Sequence, residues 1–370
     1  MSRPFTVELN LSALHHNVKR IREIAPQAKI LAMVKANAYG HGLVPIAQAL
    51  DVEGFGVSCS EEAVCLRQAG LTQRIVLMEG VFSSDELPLL ARYELDTVLH
   101  DQRQLSFLTQ NPLPGPVNVW LKINTGMNRL GFSLKDFLAV LQKLRTCPWL
   151  NIVCMMTHFS NANKPDDSMT AHQIKQFEQV LTTLDNSAIE KSLANSAAIL
   201  AYPNTHADWI RPGLMLYGVS PFLTSSGTQL ALRPVMTLKS EIISINQLEL
   251  GDRVGYAGTW IAPKPMRVGV VAIGYGDGYP HSAANGTPIL VNGKLVELVG
   301  QVSMDMLTVD LSNQAEAKIG DPVVLWGEGL AIEQVAESTS CFRYELLCGI
   351  NRGQLVRTRI EEVNDAKKIG

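Results

Sequence analysis

Absences bound this 370-residue sequence before any motif does. None of its six cysteines (Cys59, Cys65, Cys147, Cys154, Cys341, Cys348) stands in a C-x-x-C pair. That spacing disfavours a zinc site and reads as reduced packing thiols. No apolar run reaches the roughly 20 residues of a membrane span, and the opening MSRPFTVELNLS lacks the apolar core of a signal peptide. Neither charge sign dominates: 32 Lys and Arg face 35 Asp and Glu, a net charge of -3. A basic field for nucleic acid and a dense acidic tail are therefore both missing. No internal repeat or low-complexity tract is visible. Together these absences predict a cytoplasmic protein with no metal, no nucleic-acid partner and no membrane partner.

Hydrophobic residues make up 46% of the chain and charged residues 18%, enough to fill a sizeable core, and the length suggests two domains. Eight short apolar, β-rich runs occur first: Ile30–Val34, Phe55–Val57, Ile75–Leu77, Thr97–Leu99, Val117–Ile123, Ile152–Met156, Ser192–Ala194 and Trp209–Ile210. Helical patterns separate them. Leu11, Leu14, Val18, Ile21 and Ile24 share one helical face that Pro26 ends. Ser60 precedes Glu61 and Glu62, and the pairs Ser83/Glu86 and Ser133/Asp136 have capping-box spacing. This alternation predicts an α/β fold, a (β/α)8 TIM-type barrel over residues 10–225, with a doubly wound sheet as the rival.

SPFLTSSGTQ (220–229) reads as a polar linker. Beyond it the apolar runs lie closer together, and Asn292-Gly293 between two of them is a hairpin signal. A mostly β C-terminal domain is expected over 233–370, with residues 1–9 as a strand added to it.

In the barrel reading Lys35 ends the first strand, on the face where such barrels carry their chemistry. An amine beside Ile30, Leu31, Ala32, Met33 and Val34 is a candidate Schiff-base nucleophile; the alternative is a snorkelling strand-end lysine. Pro212-Gly213, after the eighth run, forces a turn whose amides suit an anion. Asn195-Ser196, after the seventh, adds a hydroxyl and a further amide. An amine and a phosphate cradle on one face fit pyridoxal 5′-phosphate.

VKANAYGHG (34–42), LKINTGMNRLG (121–131), RPGLMLYG (211–218), VGYAGTW (254–260), GYGDGYP (274–280) and VSMDM (302–306) occur in that order. Taken together they resemble alanine racemases. The resemblance implies a pyridoxal-phosphate barrel domain, a β domain, a homodimer with shared active sites, and interconversion of L- and D-alanine, an isomerase reaction of D-alanine biosynthesis. It implies that Lys35 holds the cofactor and is one catalytic base, with Tyr256 of the partner subunit as the other. Tyr39, Asn195, Ser196, Gly213, Leu214 and Tyr344 match cofactor-binding positions. Arg211 matches the arginine facing the pyridine nitrogen, and His158 its support. Arg129 and Met304 match substrate-binding positions, and Lys122 matches a lysine often carbamylated. Two positions depart from the pattern: Asn124 stands where many relatives have aspartate, and His281 where arginine is common.

Taken singly, each residue has a plainer reading. Tyr256 reads as a half-buried strand tyrosine, His158 as a hydrogen-bonded strand-end histidine, Met304 as core and His41 as loop structure. GYGDGYP is not followed by a helical pattern, which argues against a dinucleotide loop. Rival functions are a racemase of broader specificity, a decarboxylase of related architecture, and a non-enzymatic carrier of the cofactor.

Overall fold

The computed structural model describes residues 3–183 and 188–350, and the backbone of 356–359. Residues 1–2 of the expected added strand, and 351–355 and 360–370 of the expected C-terminal domain, lie outside the described residues. The chain divides into two compact units, one of residues 18–38 and 43–216, the other of residues up to 17, 39–42 and from 217 onward.

In chain order, β1 is Thr6–Asn10, followed by β2 (Lys29–Met33), β3 (Gly54–Val57), β4 (Arg74–Leu77), β5 (Asp96–Leu99), β6 (Val117–Lys122), β7 (Leu150–Met156), β8 (Glu190–Asn195) and β9 (Trp209–Arg211). Strands β2 to β9 close into an eight-stranded barrel in sequence order, all parallel. The barrel expectation therefore holds, and the doubly wound alternative falls to a closure between first and last strand: Lys29 pairs with Trp209 and Ile30 with Ile210. β3 and β5 are buried at every position. That is why neither sequence alternates apolar with polar: helices cover one face of a parallel sheet and the barrel interior the other.

At the end where the strands begin, the barrel is plugged by polar and aromatic side chains. Buried Asp96 accepts hydrogen bonds from Trp120 Nε1 at 2.9 Å and Asn118 Nδ2 at 3.0 Å, and pairs with Arg74 Nε at 3.2 Å. Arg74 also approaches Glu190 at 3.6 Å and lies over the Trp209 ring at 5.4 Å. Burial pushes the Asp96 carboxyl above its usual range, although Arg74 pulls it back. The charge is stabilised by specific partners, not by water.

In the second unit β1 alternates buried and half-buried residues, as a sheet with one covered face requires. It pairs with β10 (Met236–Leu248). There follow β11 (Arg253–Val254), β12 (Trp260–Ile261), β13 (Met266–Val271), β14 (Pro288–Val291), β15 (Lys294–Glu297), β16 (Leu307–Asp310), β17 (Pro322–Trp326) and β18 (Val356–Arg359). β10 is the organiser. Its first half pairs with β1 and β17 and its second half with β13, with a register shift at Ile242/Ser244. The hairpin at Asn292-Gly293 forms as expected: both residues have positive φ, 51° and 73°, and Val291 pairs with Lys294.

Some local readings need correction. Ser60 is the first helical residue of Ser60–Gln68, and Cys59 takes the cap position without a side-chain bond. The expected linker 220–229 is an anchored one. Glu333 Oε1 accepts from the amides of Ser220 (2.8 Å) and Gly227 (2.9 Å), and Arg343 donates to the carbonyls of Ser220, Phe222 and Leu223. These bonds hold the segment in place.

Replacing Asp96 by alanine leaves the Arg74 guanidinium and the Trp120 N–H without their acceptor. Loss of such a buried charged partner costs about 3 kcal/mol. Urea unfolding of the variant is expected to show a loss of that size; a change below about 0.5 kcal/mol would contradict the role given to this plug.

Candidate active site

Lys35 follows β2 at the C-terminal end of the barrel. The chain then turns left-handed: Ala36, Asn37, Ala38 and Tyr39 have φ of 52°, 54°, 53° and 50°. For L-residues each such position costs about 1–2 kcal/mol, so the surroundings must impose it. Ala38 N donates to Val34 O at 2.7 Å, Asn37 N to Glu62 Oε1 at 3.0 Å, and Leu43 N to Asn37 Oδ1 at 2.8 Å. Gly40, φ 78°, closes the turn where a Cβ would lie 2.1 Å from Leu347 O. The reversal leaves the Lys35 side chain partly open to solvent, with Nζ 3.8 Å from Glu79 Oε1.

Closure of the barrel sets β9 beside β2, and Met33 N donates to Pro212 O at 3.0 Å. Arg211, the last residue of β9, is buried. It donates through Nη1 to Ser192 Oγ (2.6 Å) and through Nη2 to Thr157 O (2.6 Å) and Leu193 O (3.0 Å). Its Nη2 also stands 3.3 Å from His158 Nδ1. Burial lowers the Arg211 pKa to about 10, which leaves it charged at neutral pH. His158 is held well below the usual histidine range, first by burial, then by the charges of Arg211, Lys122, Arg129 and Lys35. A neutral His158 accepts from Arg211 at Nδ1, so its own proton sits on Nε2.

Ser196, buried after β8, accepts at Oγ from Gly213 N at 2.8 Å and from Met215 N at 3.5 Å. Asn195 accepts from Ala198 N at 3.1 Å and donates to Phe159 O at 3.3 Å, so it braces the turn that carries Ser196. Lys122 ends β6 and is buried. Burial, then the charges of Arg211, Arg129 and Lys35, lowers its pKa to about 7, with Glu79 opposing. Asn124 Oδ1 accepts from the amides of Gly126 and Asn128, both at 3.0 Å. The departure from aspartate thus keeps the acceptor of that turn, drops the charge and adds a donor, Nδ2 to Asn128 Oδ1 at 2.9 Å.

Arg129 shares a small pocket of the barrel unit with Lys122, Asn124 and His158, while Tyr39, Tyr256, Met304 and Tyr344 lie in the second unit. Tyr39 packs on Tyr217 (5.1 Å between centroids) and Tyr344 (5.6 Å), and His41 packs on Tyr217 (4.4 Å) with Nδ1 2.9 Å from Tyr39 O. Burial, followed by Tyr344 and Cys348, raises the Tyr39 phenol far above its ordinary range, so it remains a donor. Tyr256 is no strand residue. It opens a short 3-10 turn after β11 and is 71% exposed. Met304 is half exposed instead of core. GYGDGYP forms a 3-10 turn whose Asp277 is paired with Arg3 at 2.9 Å. Sequence reading passed over Glu79, Ser192 and Thr157. Glu79 carried the same signal as Lys35, a charge closing an apolar strand. Among the described residues no cluster of His, Cys, Asp or Glu could hold a metal ion, and no helix is long and apolar enough to cross a membrane.

A family model described as alanine racemase, N-terminal domain, matches residues 9–221, and one described as alanine racemase, C-terminal domain, matches 235–358. The chain is 50% identical over 355 residues to an alanine racemase of Nitrosomonas europaea, covering 95% of this chain and 97% of that one. The solved biosynthetic alanine racemase of Pseudomonas aeruginosa matches with a TM-score of 0.93 at 42% identity, over 97% of this chain and all of that chain.

The chain belongs to the alanine racemase family. It is an isomerase that racemises alanine. The racemase barrel therefore presents Lys35, Lys122, His158, Ser196 and Arg211 from strand ends that share one face. This donor set fits pyridoxal phosphate. It offers an amine for the aldehyde, a hydroxyl at the Pro212-Gly213 turn for a phosphate, and a buried guanidinium that keeps its proton.

Lys122 yields a pH prediction. Its folded pKa of about 7 lies below its ordinary value, so from pH 7 upward the unfolded chain binds more protons than the folded one. Stability from this group is therefore least below pH 7 and rises as pH climbs toward 10. In carbon-dioxide-free buffer without cofactor, wild type is expected to gain stability relative to Lys122→Met between pH 7 and 10 in urea unfolding. A difference that is flat with pH would contradict the depressed pKa.

Proposed function

We propose that this racemase inverts alanine with pyridoxal phosphate held by Lys35, using two bases on opposite faces: Lys35 on one and Tyr256 of the partner subunit on the other. The observation that carries the reading is the adjacency of β2 and β9, which sets the only expected Schiff-base amine beside the Arg211–Gly213 turn. When bound, the cofactor supplies an electron sink for the charge left at the α-carbon. Every other task falls to side chains.

Racemisation removes the α-proton from one face and returns a proton to the other. A single monoprotic base tends to give its proton back to the same face, so two groups are required. Lys35 serves one side. The exposed phenol of Tyr256 suits delivery to a second copy, since its own unit leaves it in solvent. Ser196 Oγ with the amides of Gly213 and Leu214, and the phenols of Tyr39 and Tyr344, would hold the phosphate. Arg211 would face the pyridine nitrogen. A guanidinium keeps its proton, so it would not protonate that nitrogen; a carboxylate partner would favour protonation and the transamination that follows. His158 keeps Arg211 in place by accepting from it. Arg129, with the backbone of Met304 of the partner subunit, would take the substrate carboxylate. Lys122, with its lowered pKa, has a neutral amine at and above neutral pH and can add carbon dioxide; the resulting anion would position Arg129. A homodimer with shared sites and a cytoplasmic place complete the reading, with barrel and β domains as 10–225 and 233–370 plus the added N-terminal strand.

Lys35→Ala is expected to abolish the cofactor chromophore and racemisation together; full activity without Lys35 would overturn the assignment. Tyr256→Phe is expected to slow α-proton exchange about 10²-fold or more in one alanine enantiomer and much less in the other. Equal losses in both would count against opposed bases. Mixing inactive Lys35→Ala and Tyr256→Phe subunits is expected to restore part of the activity through hybrid dimers.

A further inference from the structure

The C-terminal mouth of the barrel collects cations. Lys35, Arg129 and Arg211 all act on Lys122 and on His158 there, and Glu79 is the carboxylate that opposes them at Lys122. Glu79 follows β4, and among the described ion pairs it is the partner of Lys35, with Oε1 3.8 Å from Nζ. Its backbone is firmly placed. Glu79 O accepts from Gln104 Nε2 at 2.8 Å and from His100 Nε2 at 3.0 Å, and Gln104 N is itself held by Asp101 Oδ1 at 2.8 Å. The next residue, Gly80, has φ 70° and sits where a Cβ would lie 2.3 Å from Val98 O, which leaves the loop no freedom to drift. Lys35 and Glu79 side chains are 37% and 41% exposed, so an incoming molecule can reach both.

As an ion pair this contact contributes little. Water screens a pair this exposed, the more so at this separation. Its place beside the reacting amine is more informative. An amino acid arrives with its nitrogen as an ammonium. That nitrogen must lose a proton before it can form a bond, and Lys35 Nζ must gain one as it is released. With the carbon–nitrogen double bond protonated before and after, the substrate nitrogen goes from three N–H to one and Nζ from one to three, so the net change is two protons moved from the substrate nitrogen to Nζ. Of the other groups described at this mouth, Arg129 and Arg211 have no acceptor, His158 is held well below the usual histidine range, and Lys122 is buried, whereas Glu79 is open to an incoming ammonium.

We infer that Glu79 is the proton carrier of this amine exchange. Its carboxylate takes these two protons in turn from the substrate nitrogen and delivers each to Lys35 Nζ, the first as the new carbon–nitrogen bond forms and the second as the lysine's breaks. It ends as the carboxylate it began, so atoms and charge balance. This rests on the reading of Lys35 as the cofactor-holding lysine, and assigns Glu79 to nitrogen exchange, distinct from inversion at the α-carbon.

The experiment separates the two. Cofactor-loaded wild type, Glu79→Gln, Glu79→Asp and Glu79→Ala are mixed rapidly with α-aminoisobutyrate, an amine-bearing acid with no α-proton to remove. The absorbance change then reports nitrogen exchange alone. Glu79→Gln is expected to slow exchange about 10²-fold with cofactor content unchanged. Glu79→Asp is expected to recover part of the rate, and added acetate to rescue Glu79→Ala. Wild-type exchange in Glu79→Gln would overturn the proposal and leave the Lys35 reading standing. So would slow exchange that comes with lost cofactor and no acetate rescue, the signature of a structural role. A wild-type chromophore in Lys35→Ala would instead strike the reading beneath it.

Discussion

Closure of the barrel between β2 and β9 is the constraint on which the rest depends. Lys29 and Ile30 must pair with Trp209 and Ile210 for the sheet to lose its edges. That pairing brings Lys35 and Arg211, far apart in sequence, to neighbouring strand ends. Parallel strands that all leave by one face do the same for Lys122, His158 and Ser196. The site is thus a consequence of topology: each of these five strands contributes its last residue or one of the two that follow, and rigid hydrogen bonding fixes the spacing.

Once gathered, these residues create an electrostatic problem that the fold answers in three ways. Arg211 is buried with carbonyl, hydroxyl and imidazole acceptors around its guanidinium. His158 and Lys122 give way by losing proton affinity. Glu79 supplies a negative charge. The remaining positive potential is what an anionic cofactor and an amino-acid carboxylate require. The strained left-handed turn after Lys35 belongs to the same arrangement, because it removes the chain abruptly from the space in front of the amine.

Much of this was legible in the sequence, for identifiable reasons. Eight short apolar runs between helical patterns are what a barrel buried on both sides of its sheet must produce. Asn292-Gly293 announced its hairpin because few dipeptides tolerate two positive φ values. The motifs placed Lys35, Arg211 and Ser196 at strand ends, where the structure has them. Other features left no local trace. Nothing in Ala36-Asn37-Ala38-Tyr39 forbids a right-handed helix; the left-handed turn is imposed by Glu62, Val34 and the lack of room at Gly40. The anchoring of the linker 220–229 left no local trace because its anchors, Glu333 and Arg343, lie over a hundred residues away. Tyr256 looked like a strand residue because its exposure depends on a turn set by Gly255 and Gly258. Glu79 was passed over because a glutamate after an apolar run usually marks a solvated strand end.

The central claim is that Lys35, the strand-end amine beside the Arg211 turn, is the group that holds the cofactor. Borohydride reduction of the cofactor-loaded protein, followed by proteolysis and mass spectrometry, tests it most directly. The account predicts one pyridoxyl modification per chain, on the peptide containing Lys35. A modification found on Lys122 or another lysine, or none at all in protein that racemises alanine, would contradict it.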